Sequence, residues 1–197
     1  MPKPLRQLLN NTWVFWALLT LPMVWIIYKR YIFHVPGGHL FYWTGVFGIW
    51  FLLASLAITP LKRIFKTAGW VRWLQRRRRY IGVAAFAYSA IHTLYWLQQA
   101  KLVQIFKSFL EPVVLIGWIG FFIFLAMAIT SNDRSVRNMG PGWKRLQRWV
   151  YLAAPLAVWH WFMAEAYRLE TVLIYGGLLS LILGLRVLLK PSKMKSP

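Results

Sequence analysis

Residues 80–97 read YIGVAAFAYSAIHTLYWL, and the reading of this stretch decides the fold. No formal charge falls between Arg79 and His92, while Arg76, Arg77, Arg78 and Arg79 form a basic block just before it. Eighteen mostly apolar residues at about 1.5 Å each make a helix of roughly 27 Å, close to the thickness of a bilayer core. An imidazole at that depth is costly without a partner, so His92 marks a functional site by default. A second histidine, His160, lies in a later apolar stretch at a similar depth.

Composition agrees with a membrane class. The chain has 197 residues, 59% hydrophobic and 18% aromatic, with 13 Trp. A soluble domain of this length carries more charge and fewer long apolar runs. The net charge of +20 would suit a nucleic-acid partner, but here the charges are strung between apolar spans. They read instead as topology signals and contacts to membrane lipid, with no nucleic acid implied. The absence of cysteine excludes disulfides, Fe–S clusters and thiolate ligands. The first apolar stretch lacks a small-residue cleavage site and reads as a membrane helix rather than a removed signal. No repeat with a period of 20–50 residues is evident.

Six apolar segments follow from this pattern: 12–28, 41–60, 80–97, 112–130, 149–164 and 171–189. Of the 24 Lys and Arg, 19 fall in the N-terminus, the second-to-third loop, the fourth-to-fifth loop and the C-terminus, against 5 in the other three loops. The expected fold is therefore all-α: a polytopic bundle of six transmembrane helices with cytoplasmic N- and C-termini. The expected parts are a cytoplasmic N-terminus, 1–11, a membrane domain, 12–189, and a cytoplasmic tail, 190–197. Trp and Tyr near segment ends form an interfacial belt. Pro22 and Pro155 fall inside spans, where neighbours must satisfy the freed carbonyls. Gly45 and Gly48, Gly117 and Gly120, and Gly176 and Gly177 are expected as packing sites. In the outer loop YIFHVPGGHL, 31–40, His34 and His39 flank a Pro-Gly-Gly turn, with no Asp, Glu or Cys beside them.

The third and fifth spans run in the same direction. His92 stands 12 residues beyond Tyr80 and His160 stands 11 beyond Trp149, so both sit roughly 16–18 Å from the inner face. Matched depth on parallel helices is what axial ligation of one haem requires, and neutral imidazole is a standard haem ligand. The competing reading gives each histidine only a backbone carbonyl as partner. Aromatics nearby (Tyr88, Tyr95, Trp96, Trp159, Trp161) suit a macrocycle but also ordinary packing. Arg78 and Arg79 suit haem propionates, a flavin phosphate or a lipid phosphate.

Three stretches in order carry a resemblance: TGVFGIWFLLASLAITPLKR (44–63), RRYIGVAAFAYSAIHTL (78–94) and AITSNDRSVRNMGPGWKRLQRWVYLAAPLAVWHW (128–161). Together they resemble the MsrQ (YedZ) family, haem-binding membrane subunits of a bacterial methionine sulfoxide reductase system, within the ferric-reductase-like transmembrane group. The similarity covers about residues 40–190. It implies haem b held by His92 and His160, with FMN as a further cofactor. It also implies an electron conduit in the inner membrane, fed by the quinone pool or a flavin. The electrons would pass to a periplasmic molybdopterin-containing catalytic subunit of the MsrP kind, which reduces methionine sulfoxide in oxidised proteins. The chemistry would then belong to the partner, with no catalytic residue on this chain. The family pattern W-x-x-L-H-x-x-V-Y is met here by 143–151 with Gln147 in the histidine's place. One haem, in the outer half, is the expectation that follows.

Two other readings stand beside this one. A ferric or cupric reductase of the same superfamily would deliver electrons to an external metal, with His34 and His39 in its favour. A scaffold or transporter would make both intramembrane histidines structural, but the spans offer few other polar groups.

Overall fold

The computed structural model describes residues 10–100 and 102–189. Most of the expected N-terminal segment, 1–11, and the expected tail, 190–197, lie outside the described residues. All regular structure in the described residues is helical.

Helix α1 (Thr12–Ile32) begins where the Asn11 side chain accepts from the Trp13 amide at 2.8 Å, a cap that satisfies a first-turn N–H. Helix α2 (Gly37–Ile64) and helix α3 (Gly69–Gln99) follow, then the short α4 (Leu102–Ser108). Pro112 sits at the start of α5 (Pro112–Ile129), where its missing N–H costs nothing. Two short helices of seven residues each, α6 (Asp133–Met139) and α7 (Pro141–Gln147), join it to α8 (Val150–Ala164). Gly140 between them has φ +49°, a left-handed position suited to glycine. The last helix, α9 (Leu169–Leu188), contains a π-helical turn at Val172–Gly176.

Helices α1, α2, α5 and α9 are long and apolar enough to cross a membrane. The other two expected spans are α3 and α8, the helices that carry His92 and His160. Helix α3 mixes its apolar residues with the arginine block and with Ser89, His92, Thr93 and three tyrosines. Helix α8 has 15 residues. Helix α3 falls short as a clear span through its charged and polar residues, and helix α8 through its length. Multi-pass membrane architecture therefore rests on the four clear spans.

The outer loop is shorter than the sequence suggests. Pro36 caps α2, and Gly37, Gly38 and His39 are its first residues rather than a turn. A β-carbon at Gly37 would meet the Tyr95 hydroxyl, so any side chain there would have to displace the end of that tyrosine.

Helix α2 packs most extensively against α3, and α5 against α8. One buried cluster joins Ile49, Leu52, Leu53 and Leu56 of α2 to Val150, Ala154 and Val158 of α8 and Leu179 and Ile182 of α9. A second joins Phe15 and Leu19 of α1 to Ile58, Ile81 and Ala84. At Pro22 the freed backbone groups find a partner from α3. The Tyr88 hydroxyl accepts from the Met23 amide at 2.9 Å and donates to the Leu19 carbonyl at 3.0 Å. The side chain thus inserts into the helical ladder at the proline, one of the recognised origins of a kink.

Candidate functional site

The α2–α3 and α5–α8 pairs each place one histidine against one glycine. On α3, the Nδ1–H of His92 donates to the Phe41 carbonyl of α2 at 2.9 Å. On α8, the Nδ1–H of His160 donates to the Val113 carbonyl of α5 at 2.8 Å. A carbonyl only accepts, so Nδ1 carries the hydrogen in both rings, and in the neutral imidazole Nε2 keeps its lone pair. This is the arrangement that orients a histidine as a metal ligand. Four residues after each carbonyl comes a glycine, Gly45 or Gly117. A β-carbon at Gly45 would stand 3.1 Å from His92 Nδ1, and one at Gly117 would stand 2.9 Å from His160 Cε1. Each ring sits against a helix position that carries no side chain.

The two rings face each other across a single cavity. Their centroids are 6.4 Å apart and their planes stand at 88°. The cavity has a volume of about 410 Å³ and is lined by both histidines, all four glycines of the two Gly-x-x-Gly pairs, and apolar side chains including Val46, Ile49 and Phe124. That is within the ~300–1,000 Å³ typical of small-molecule and cofactor pockets. Two hydroxyls on its wall are engaged by backbone of their own helix: Ser89 donates to Ala85 O at 2.9 Å and Thr93 to Ser89 O at 3.0 Å. Phe41 stacks on His92 with centroids 4.1 Å apart. Trp161, beside His160, stacks on Tyr175 at 4.3 Å. Tyr42 and Glu165 complete the lining.

The structure thus brings His92 and His160 together and leaves Arg78 and Arg79 outside. Neither arginine lines the cavity. Arg78 donates to the Ser55 carbonyl at 2.9 Å, and Arg79 pairs with Asp133. The hydrogen bond from Arg79 holds the exposed Asp133 carboxyl below the usual carboxylate range. Gln147 donates its side-chain amide to the Met127 carbonyl at 3.1 Å. His39 packs its ring against Trp25 and Trp43, apart from the cavity. Among the described residues, no group of three or more His, Asp or Glu forms a metal cluster.

Sequence reasoning took Gly45 and Gly117 for helix-packing sites and overlooked the carbonyls of Phe41 and Val113. The available signal was the repeated G-x-x-G spacing, 45–48 and 117–120, each followed by one histidine on the next long helix.

Comparison with known proteins completes the assignment. Residues 14–158 match the family model described as ferric reductase like transmembrane component. Proteins named protein-methionine-sulfoxide reductase heme-binding subunit MsrQ are similar over most of the chain. The one from Caulobacter vibrioides is 34% identical over 170 residues, 82% of this chain and 79% of that protein. The one from Rhizobium meliloti is 31% identical, covering 91% and 84%, and that from Bordetella pertussis is 35% identical, covering 73% and 71%. No solved structure matches the chain. The chain belongs to the ferric reductase like transmembrane component family, on its MsrQ branch.

Proposed function

We propose that His92 and His160 are the axial ligands of a single b-type haem, and that the chain carries electrons across the inner membrane in a methionine sulfoxide reductase system. The observation that carries the reading is the pair of imidazoles, each tautomer-fixed by a carbonyl, meeting across one apolar cavity. The residues fit the group. The two rings stand 6.4 Å apart, centroid to centroid, on the wall of one cavity, and both leave Nε2 free to bind a haem iron that His92 and His160 would hold. Gly45 and Gly117 provide the cradles that seat the two rings. When bound, haem supplies a one-electron carrier whose potential is set by its axial ligands and the surrounding dielectric. The chain's own residues do the rest. The Phe41 and Val113 carbonyls keep both Nδ1 protonated and make Nε2 more basic, and the apolar walls exclude water.

In this reading the helices form six spans across 12–189, with α3 and α8 as the third and fifth and both termini in the cytoplasm. The charge distribution of the sequence supports that orientation. Electrons would enter from the quinone pool or a flavin on the basic side. They would leave to a periplasmic molybdopterin-containing subunit that reduces methionine sulfoxide in oxidised proteins. The names of the similar proteins support the haem and the reductase system.

The test is the visible spectrum of the purified, reduced chain together with its His92→Ala and His160→Ala variants. A b-type signal in the unmodified chain that is lost in both variants is the expected result. A full signal in either variant sinks the ligand assignment. Reporter fusions placed within 63–79 and after residue 190 are expected to read as cytoplasmic, and a periplasmic readout would overturn the six-span orientation.

A further inference from the structure

We propose that Arg63, Arg78 and Arg186 form a binding site for the phosphate of an anionic phospholipid, at the end of the bundle opposite Phe41 and Val113. The three guanidiniums come from three helices, α2, α3 and α9. Arg186 donates to the Thr59 hydroxyl at 2.8 Å and Arg78 to the Ser55 carbonyl at 2.9 Å. Thr59 and Ser55 are four residues apart, so both arginines are held on adjacent turns of α2. Arg63 completes the group by donating to the Arg186 carbonyl.

These contacts are all to neutral oxygens, and among the described residues no Asp or Glu side chain pairs with the three arginines. The chain contains four acidic residues in total. Asp133 pairs with Arg79, while Glu165 and Glu170 pair with Arg168. Glu111 stands at the start of α5, at the histidine end of the bundle. Arg78 and Arg186 are nevertheless drawn partly into the protein, and Arg186 Nη1 is buried with no hydrogen-bond partner. Clustered like charges withdrawn from water without a counter-ion are strongly unfavourable, so an anion from outside the chain is required. Several guanidinium forks on one group suit the tetrahedral oxygens of a phosphate.

The surroundings decide the source of that phosphate. The Arg186 guanidinium lies over the ring of Tyr151, 5.2 Å from its centroid. Tyr151 itself is 45% exposed, so one side of its ring is open at the surface of the bundle. The site therefore opens beside apolar surface. A lipid can cover that surface with its chains while its headgroup meets the arginines, as in other basic pockets between membrane helices. A free anion cannot.

Native mass spectrometry of the full chain, delipidated and then offered phosphatidylglycerol or phosphatidylcholine, tests the site. The unmodified chain is expected to retain phosphatidylglycerol over phosphatidylcholine by about tenfold, the scale of one charge-assisted hydrogen bond. That preference should vanish in the Arg78→Gln/Arg186→Gln double variant, survive in part in Arg186→Lys, and be unchanged in Arg145→Gln, whose side chain is exposed. Helical circular dichroism checks each variant's fold, and the single Arg78→Gln variant serves if the double one does not fold. Equal retention of both lipids by the unmodified chain, or an undiminished preference in the folded Arg78→Gln/Arg186→Gln or Arg78→Gln variant, would overturn the proposal. So would full displacement of phosphatidylglycerol by inorganic phosphate, which would make this a soluble-anion site.

Discussion

Gly117 stands so close to His160 that a β-carbon there would come within 2.9 Å of Cε1 and 3.0 Å of Nδ1. Gly45 holds the same relation to His92 at slightly longer range, 3.1 and 3.2 Å. A contact below about 3 Å forces the ring or the helix to move, and a shift of that kind misplaces a ligand. Gly117→Ala is therefore expected to lower the haem-to-protein ratio more than Gly45→Ala does. Gly82→Ala is the control, since nothing lies within 4 Å of its β-carbon position and it does not line the cavity. Equal haem content in all three variants would mean that the glycines do not set the rings.

Tyr88 makes a prediction about stability that is independent of any cofactor. Its hydroxyl bridges Met23 N and Leu19 O where Pro22 interrupts α1. Tyr88→Phe keeps the ring but leaves two buried backbone groups unsatisfied, each worth about 1–3 kcal/mol. The expected result is a lower Tm in detergent with little change in the haem spectrum. An unchanged Tm would show that water or a local backbone shift replaces the hydroxyl.

Much of this was legible in the sequence, and the rest was hidden for physical reasons. Helix class and the pairing of His92 with His160 follow from charge patterning and depth, because a bilayer fixes both. The start of α2 was missed because Pro-Gly-Gly is good turn chemistry. Gly37 is instead a helical residue, with the Tyr95 hydroxyl brought against it from α3. The doubled arrangement around the cavity escaped a search for short periods, since its halves, Gly45 with His92 and Gly117 with His160, lie far apart in the chain. The engagements of Arg78 with Ser55 and Arg79 with Asp133 depend on tertiary contacts that a run of four arginines does not reveal.

The four histidines separate the ligand reading from a general effect of removing imidazoles. His92→Ala and His160→Ala should each abolish most bound haem, because either loss removes one of two axial ligands. His39→Ala and His34→Ala should leave the spectrum intact, since neither residue lines the cavity. Equal loss from all four substitutions would remove the reason for choosing this pair.

Gln147 bears on the number of haems. Its amide donates to the Met127 carbonyl at 3.1 Å, and the Ser131 hydroxyl donates to the same oxygen at 2.7 Å, while the Thr130 hydroxyl donates to the Ala126 carbonyl at 2.8 Å. Gln147 therefore ties the end of α7 to the end of α5, where helical carbonyls lack backbone partners. It offers no imidazole, and an amide is a poor ligand for haem iron. The chain is thus expected to bind about one haem, in the cavity of His92 and His160. Gln147→His should not raise that number on its own. Arg79, on the facing part of α3, is paired with Asp133 and supplies no second imidazole. The measurement is haem per chain with iron quantified independently, for the unmodified protein and for Gln147→His. A ratio near two in the unmodified chain would show an inner site filled without this residue. That outcome would overturn the single-haem reading, whereas a rise only in Gln147→His would show a pocket in which the unmodified chain lacks nothing but the ligand.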